Sequence, residues 1–370
     1  MRIGLIAPPW GPVPSAGGAS TIIDLLARAW TAAGHEVVLC ATGDSTCAVD
    51  RRWVHRRSLP EQRGEALPEI RHASFAYEAL FDCDIVHDHT VVGPLVAPSI
   101  AGWPKPRGLP IVSTCHGAFD DEQTAAFRAI AHRASVVAIS ADQASRSRGV
   151  PIRRVIHHGI DAAEHPVGAG DGDYLLFLGR MSPSQGVHRA IEIARRAGQQ
   201  LFIAASCRQP EERQYFDEAV RPLLGHGVEY VGEVERVEKL ELLGAARALL
   251  HPISWPEPFS LVMLEAMACG TPVLTSAEGA ASEIIEHGRT GFVEGSEADL
   301  VLAIDRIDEL SREACRRAVE GYFSSARMAA EHVRLFESIL REGQITDLSR
   351  RTPPPETAEA RRQRLVVLSH

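Results

Sequence analysis

The chain of 370 residues is short of the features that mark several protein classes. It has seven cysteines, an odd number with no C-x-x-C pair, which fits a reducing cytosol rather than a disulfide framework. A basic field is missing too: 39 lysines and arginines against 48 aspartates and glutamates leave a net charge of −9, which argues against general nucleic-acid binding. No apolar run reaches the length of a membrane span, so no integral membrane segment is expected. The start, Met1-Arg2-Ile3-Gly4-Leu5-Ile6-Ala7, lacks a signal-peptide layout, and a cytoplasmic location is the expectation.

What the chain does contain is the make-up of a globular protein, 45% apolar and 24% charged, with enough length for two domains. Short apolar runs alternate with helical stretches. Ile3–Ala7 is followed by Ile22, Leu25, Leu26, Ala29 and Ala33 at helical spacing, then by Val37–Ala41, Ile85-Val86, Ile111-Val112, Val136–Ile139 and Val155-Ile156. This alternation predicts the α/β class with a parallel, doubly wound sheet. The Gly- and Asp-rich segment His165–Asp173 reads as a linker. The pattern then restarts: strands at Tyr174–Leu178, Leu201–Ala204, Val228–Val231, Ala248–Leu250 and Val273-Leu274, with a helix over Val187–Ala197. The expected division is a first Rossmann-like domain over 1–164, the linker 165–173, a second Rossmann-like domain over 174–342 and a tail over 343–370. Arg350–Pro355 breaks regular structure in that tail, which is either a disordered end with a short helix or a segment docked on the first domain.

The most informative stretch is Glu257-Pro258-Phe259-Ser260-Leu261-Val262-Met263-Leu264-Glu265-Ala266-Met267-Ala268-Cys269-Gly270-Thr271-Pro272-Val273. Pro258 suits a first helical position. Leu261–Ala268 favours helix, and Gly270 with Pro272 stops it. Glu265 then lies inside a short helix, with Glu257 in the loop before it. The amides of Phe259, Ser260 and Leu261 point out of the helix start, where a phosphate or sugar oxygen is favoured. A carboxylate one or two turns further in can accept both hydroxyls of a vicinal diol. Phosphate-binding amides beside a diol-binding glutamate describe a nucleotide-sugar site.

This stretch resembles the E-x7-E signature of retaining GT-B glycosyltransferases of family 4, over about residues 1–342 and most strongly from Tyr174 to Val293. The resemblance implies two Rossmann-like domains facing across a cleft, donor ribose on Glu265 and the transferred sugar beside Glu257. Donor binding is expected at Gly17, Gly18, Arg180, Gln185, Glu257, Phe259, Ser260, Leu261, Val262 and Glu265. Catalysis is expected at Arg180, Glu257 and His116. Gly17-Gly18 matches the glycine loop that meets the donor diphosphate and acceptor, although such a pair by itself is a turn. Cys115-His116-Gly117 is similar to the family turn whose His touches the donor sugar, and a histidine satisfied by backbone groups is the alternative.

Gly179-Arg180-Met181-Ser182-Pro183-Ser184-Gln185-Gly186 matches the family's G-R-x-x-x-x-K-G loop except at Gln185, where lysine is expected. Losing that charged hydrogen bond costs about 1.5–3 kcal/mol, and Arg208 is a candidate replacement cation. Ser260 stands in place of the usual glycine and narrows the space beside the sugar. Glu283 matches a helix-start glutamate, whose simplest role is capping and dipole compensation. His157–Asp161 falls where the family has a hinge.

His87 and His89 share one face of an extended chain while Asp88 points away, so a third metal ligand is not evident and no metal is expected. The resemblance gives His87 and His89 an acceptor-side or structural role. The function implied is retaining, metal-independent transfer of a sugar from a nucleoside-diphosphate donor (a UDP-sugar as first guess) to a hydroxyl of a saccharide, glycolipid or natural product, with no cofactor. A nucleotide-sugar epimerase, a pseudo-glycosyltransferase and a donor-binding accessory protein are the rival readings.

Overall fold

The computed structural model describes residues 1–15, 18–100 and 108–351, without the side chains of 344–351. Two parallel sheets organise it. The first has seven strands in the order β3-β2-β1-β4-β5-β6-β7, and the second has six in the order β10-β9-β8-β11-β12-β13. In the first sheet these are β1 (Arg2–Ile6), β2 (Glu36–Cys40), β3 (Asp50–Arg52), β4 (Ile85–Asp88), β5 (Ile111–Thr114), β6 (Ala134–Ala138) and β7 (Ile152–Val155). The second holds β8 (Leu175–Arg180), β9 (Leu201–Ser206), β10 (Val228–Gly232), β11 (Ala248–His251), β12 (Val273–Ser276) and β13 (Gly291–Glu294). Each sheet places its first strand centrally and winds outward to both sides: Gly4 of β1 pairs with Val38 on one flank and Val86 on the other.

The apolar runs became strands because helices cover both faces of each sheet, leaving Ile3, Leu5, Leu175, Leu176 and Phe177 with no exposed surface. Every strand read from an apolar run is present, with ends shifted by up to three residues. The edge strands β3 and β13 were not anticipated. β3 is Asp50-Arg51-Arg52 and largely exposed, so it carries no apolar signal.

The segment His165–Asp173 lies along the second sheet's domain. Its Gly168, Gly170 and Gly172 amides donate to the carbonyls of Cys269, Gly244 and Ala245 at 3.0, 3.0 and 2.9 Å. Arg312 reinforces this by donating to the carbonyls of Gly168, Ala246 and Gly244.

The chain crosses between the two halves twice, and the crossings pair. Ile160 N–H donates to Phe323 O and Ser325 N–H to Ile160 O, both at 2.9 Å. Gly159 permits this approach, since a Cβ there would stand 2.3 Å from Ser324 O. The helix Ser325–Arg351 then returns to pack on the helix Gly18–Ala32 of the first domain, where Trp30 Nε1 donates to Ala329 O at 3.1 Å.

Candidate functional site

Carboxyl ends of strands in both sheets lead into several of the expected site residues: Arg180 ends β8, the loop with Glu257 follows β11, and His116 follows β5. Helix Leu261–Ala268 has the expected bounds, but its entry differs. Ser260 is the cap residue, so Pro258 stands three residues ahead of the first turn instead of opening it. Pro258 and Phe259 extend the loop, and the amides of Phe259, Ser260, Leu261 and Val262 have no hydrogen-bond acceptor among the described residues. Four consecutive unsatisfied donors at a helix start, the three expected and Val262 after them, can receive an anion.

Glu265 lies one turn into that helix. Its Oε1 takes an ion pair from Lys239 Nζ at 2.8 Å, with both side chains largely buried. Lys239, on the helix Arg236–Ala245, was not anticipated. Its rarity was the available signal, because Lys105 and Lys239 are the only lysines in the chain. The pairing occupies Oε1 and leaves Oε2 to accept from a diol.

Arg180 ends β8, is exposed, and its guanidinium makes no hydrogen bond or ion pair among the described residues. A guanidinium in that condition at a strand's carboxyl end is free to clamp a diphosphate. Arg208, the candidate replacement for the missing lysine, is already engaged elsewhere. Its Nε and Nη2 bind Glu233 at 2.9 and 2.6 Å, and this bidentate pair uses up its fork.

Gln185 is buried, with Nε2 3.5 Å from Glu257 Oε2. His251, at the end of β11, puts its Nε2 at 3.5 Å from the same oxygen and at 3.4 Å from Ser260 Oγ. His251 too escaped the sequence reading, because only the fold brings it to Glu257. Ser260 Oγ therefore points towards His251, with only 4% of the residue exposed. In the same segment, His251 Nδ1 and Trp255 Nε1 are buried without a partner. The Phe259 ring packs on His157, His158 and Phe323, with centroids at 5.8, 5.3 and 6.3 Å, so its backbone faces the site while its side chain wedges the crossing.

Across the cleft, Gly18 opens the helix Gly18–Ala32 with φ +70°, and nothing lies within 4 Å of where a Cβ would stand. Its companion Gly17 lies outside the described residues. His116 follows β5. Its Nε2 bonds His89 Nδ1 at 2.7 Å and its ring stacks on His158 at 5.3 Å. Burial, then the neighbouring His332, lowers the His116 pKa to about 4, so it meets the cleft as a neutral ring. The partner of His116 is another imidazole, not the backbone.

His87 has no exposed surface. Its Nε2 bonds Thr114 Oγ1 at 2.7 Å and its ring lies between Trp30 and His332, beneath the terminal helix. It cannot touch an acceptor there, and only its neighbour His89 reaches the cleft, through His116. Among the described residues, no group of three or more His, Cys, Asp or Glu side chains is placed to hold a metal ion.

Glu283 caps a helix, though not its own. It sits in the short helix Ala281–Ile284, and its carboxylate accepts the amides of Ala141 and Asp142, at the start of a first-domain helix, at 2.7 and 2.8 Å. His157 Nε2 bonds it at 2.7 Å and is itself tied through Nδ1 to Tyr322 Oη at 2.9 Å. Burial pushes the Glu283 carboxyl up, but the bonds from His157, Asp142 and Ala141 outweigh it and hold the pKa below the usual range.

Comparison with known proteins bears on the family and the fold. A sequence model described as Glycosyltransferase Family 4 matches residues 16–164, and one described as Glycosyl transferases group 1 matches residues 163–321. The chain belongs to the group 1, family 4 glycosyltransferases, and its fold is GT-B. A glycogen synthase of Mycobacterium tuberculosis is 37% identical over 147 residues, which is 37% of this chain and 34% of that protein; the chain thus spans about a third of this relative's length. The structure of a sucrose-phosphate synthase from Thermosynechococcus elongatus superposes with a TM-score of 0.76 at 21% identity, over 92% of this chain and 99% of that one. Anabaena Alr3699/HepE in complex with UDP-glucose gives a TM-score of 0.69 at 18% identity, over 91% and 100%.

Proposed function

We propose that the protein transfers a sugar from a nucleoside-diphosphate donor to a hydroxyl acceptor, with retention and without a metal. The observation that carries this reading is the conjunction on the second domain's carboxyl edge. Unpartnered Arg180, the free amides of Phe259 to Val262 and the Lys239-paired Glu265 supply a cation, anion-binding donors and a diol acceptor for one ligand. Arg180 and the amides stabilise charge that develops on the leaving diphosphate. Glu257 lies beside the transferred sugar. It is not assigned as a nucleophile: in a front-face reaction the departing diphosphate oxygen takes the acceptor's proton. Neutral His116, on the facing domain, offers a hydrogen bond to a sugar hydroxyl without adding charge. The acceptor enters on the first domain, and closure of the halves expels water. The HepE complex supports uridine as the first nucleotide to try.

Gln185 favours one second reading, a donor-binding accessory protein, because it puts an uncharged amide where the family has lysine. Calorimetric titration with UDP, ADP, GDP, CDP and dTDP, on wild type and Glu265→Ala, tests the site. One diphosphate should bind, with affinity falling at least about tenfold in the variant. If none of them bound, the proposed donor site would be refuted. Binding without any sugar release from the matching nucleotide sugars would favour the accessory reading.

A further inference from the structure

We propose that Glu283 is a positioning residue through which the first domain sets the place of Glu257; its consequence for turnover rests on the reading above. The side-chain contacts of Glu257 do not fix it by themselves. Its bonds to Gln185 and His251 are both 3.5 Å long, at the limit of hydrogen bonding, so its carboxylate goes where its backbone puts it.

That backbone is clasped by the turn after β12. Ala280 N–H donates to Glu257 O at 3.0 Å. Gly279 adopts φ +56° and comes so close that a Cβ would stand 2.2 Å from Glu257 O and 2.5 Å from Glu257 N. The turn leads directly into the helix Ala281–Ile284, with Glu283 N–H on Ala280 O at 2.9 Å.

From Glu283 the contact passes to the other domain. The two amides at the start of the helix Ala141–Ser145 and the His157 ring converge on one carboxylate. Those amides are otherwise unsatisfied helix-start donors, so the carboxylate both completes that helix and ties it to the turn that clasps Glu257. When the halves separate, Glu283 loses the two helix-start amides and the turn is released with them. Glu257 is therefore held in place only while the domains are together. This couples closure to the reacting centre without any described first-domain residue bonding Glu257.

Two variants test this from opposite sides. Glu283→Gln replaces one acceptor oxygen with an amide group that opposes the incoming N–H. Ala141→Pro removes one donor at a first helical position, where proline is tolerated; Ser140 before it is already extended at φ −153° and ψ 161°.

Amide hydrogen exchange on the free protein reads the coupling without a substrate. In Glu283→Gln, exchange should speed up about tenfold at Ala141 and Asp142, and also at Glu257 and Ala280. With UDP-glucose as probe, the turnover number for UDP release should fall about tenfold while the UDP Kd shifts less than about twofold, because Arg180, the amides of Phe259 to Val262 and Glu265, which hold the nucleotide in the proposed function, all lie on the second domain. Ala141→Pro should move the same quantities less. Faster exchange confined to Ala141 and Asp142, with Glu257, Ala280 and turnover unchanged, would overturn the proposal, as would parallel losses of Kd and turnover. If wild type bound no UDP, the uridine reading would fail, and exchange at Glu257 and Ala280 would still decide the coupling.

Discussion

Gln185 shows at the residue scale how a single departure redistributes a site. Its amide is buried beside Glu257, where a lysine would put an ammonium in the same space. Gln185→Lys should bind UDP about tenfold more tightly in calorimetry, about 1.4 kcal/mol, at the lower end for a charge-assisted bond. Unchanged affinity would mean that the diphosphate sits beyond reach of this position. The places of Glu257, Glu265 and Arg180 were legible because they follow from local order: a loop, a short helix and a strand end within fixed spacings. Lys239 was not, because its partner stands 26 positions away on a neighbouring helix, and His251 was not, because only the turn of the chain after β11 brings its ring to Glu257. The reach of Glu283 across to the helix Ala141–Ser145, over 142 and 141 positions, has no sequence signal at all.

At the scale of elements, the parallel strands were legible since strands buried on both faces must be continuously apolar. What could not be read is what a helix packs against. Periodicity shows that Met328, Leu335 and Phe336 share a buried face, but not that this face returns to the first domain. The return depends on the paired crossings, and these depend on Gly159. In Gly159→Ala the new methyl cannot stand 2.3 Å from Ser324 O, so the two crossings must separate and the bonds between Ile160, Phe323 and Ser325 lengthen. We expect a loss of about 2 kcal/mol, read as a Tm lower by several degrees. Faster exchange should appear at Ile160 and Ser325. An unaltered Tm would show that the crossings have slack that the glycine does not control.

Across the whole molecule, one feature joins terminal helix, first sheet, crossing and donor loop. His332 meets His87 at 4.9 Å, His87 meets His89 at 4.1 Å, His89 meets His116 at 5.0 Å, His116 meets His158 at 5.3 Å, and His158 abuts Phe259 at 5.3 Å. Burial is the main cause that depresses all five pKa values, and the other imidazoles deepen the effect for His87, His89, His116 and His158. His116 and His332 fall to about 4. The unfolded chain takes up these protons near pH 6.5, so between that pH and about 4 it binds more protons than the fold does, and stability drops as pH falls. For His332 alone this amounts to about 2 kcal/mol on going from pH 7.5 to pH 5. Asp88 works in the opposite sense. Burial, against bonds from Tyr77 and Thr90, raises its carboxyl to about 6, so the fold gains from protonating it. That gain is about 1 kcal/mol at pH 5 and offsets no more than one histidine. Wild type should therefore lose Tm steadily from pH 7.5 to pH 5. His332→Phe keeps a ring against Trp30 and Phe336 but removes one titrating group from the column, so its loss of Tm over the same range should be several degrees smaller. If the two proteins lost Tm in parallel, the acid sensitivity would have to lie in groups outside this column.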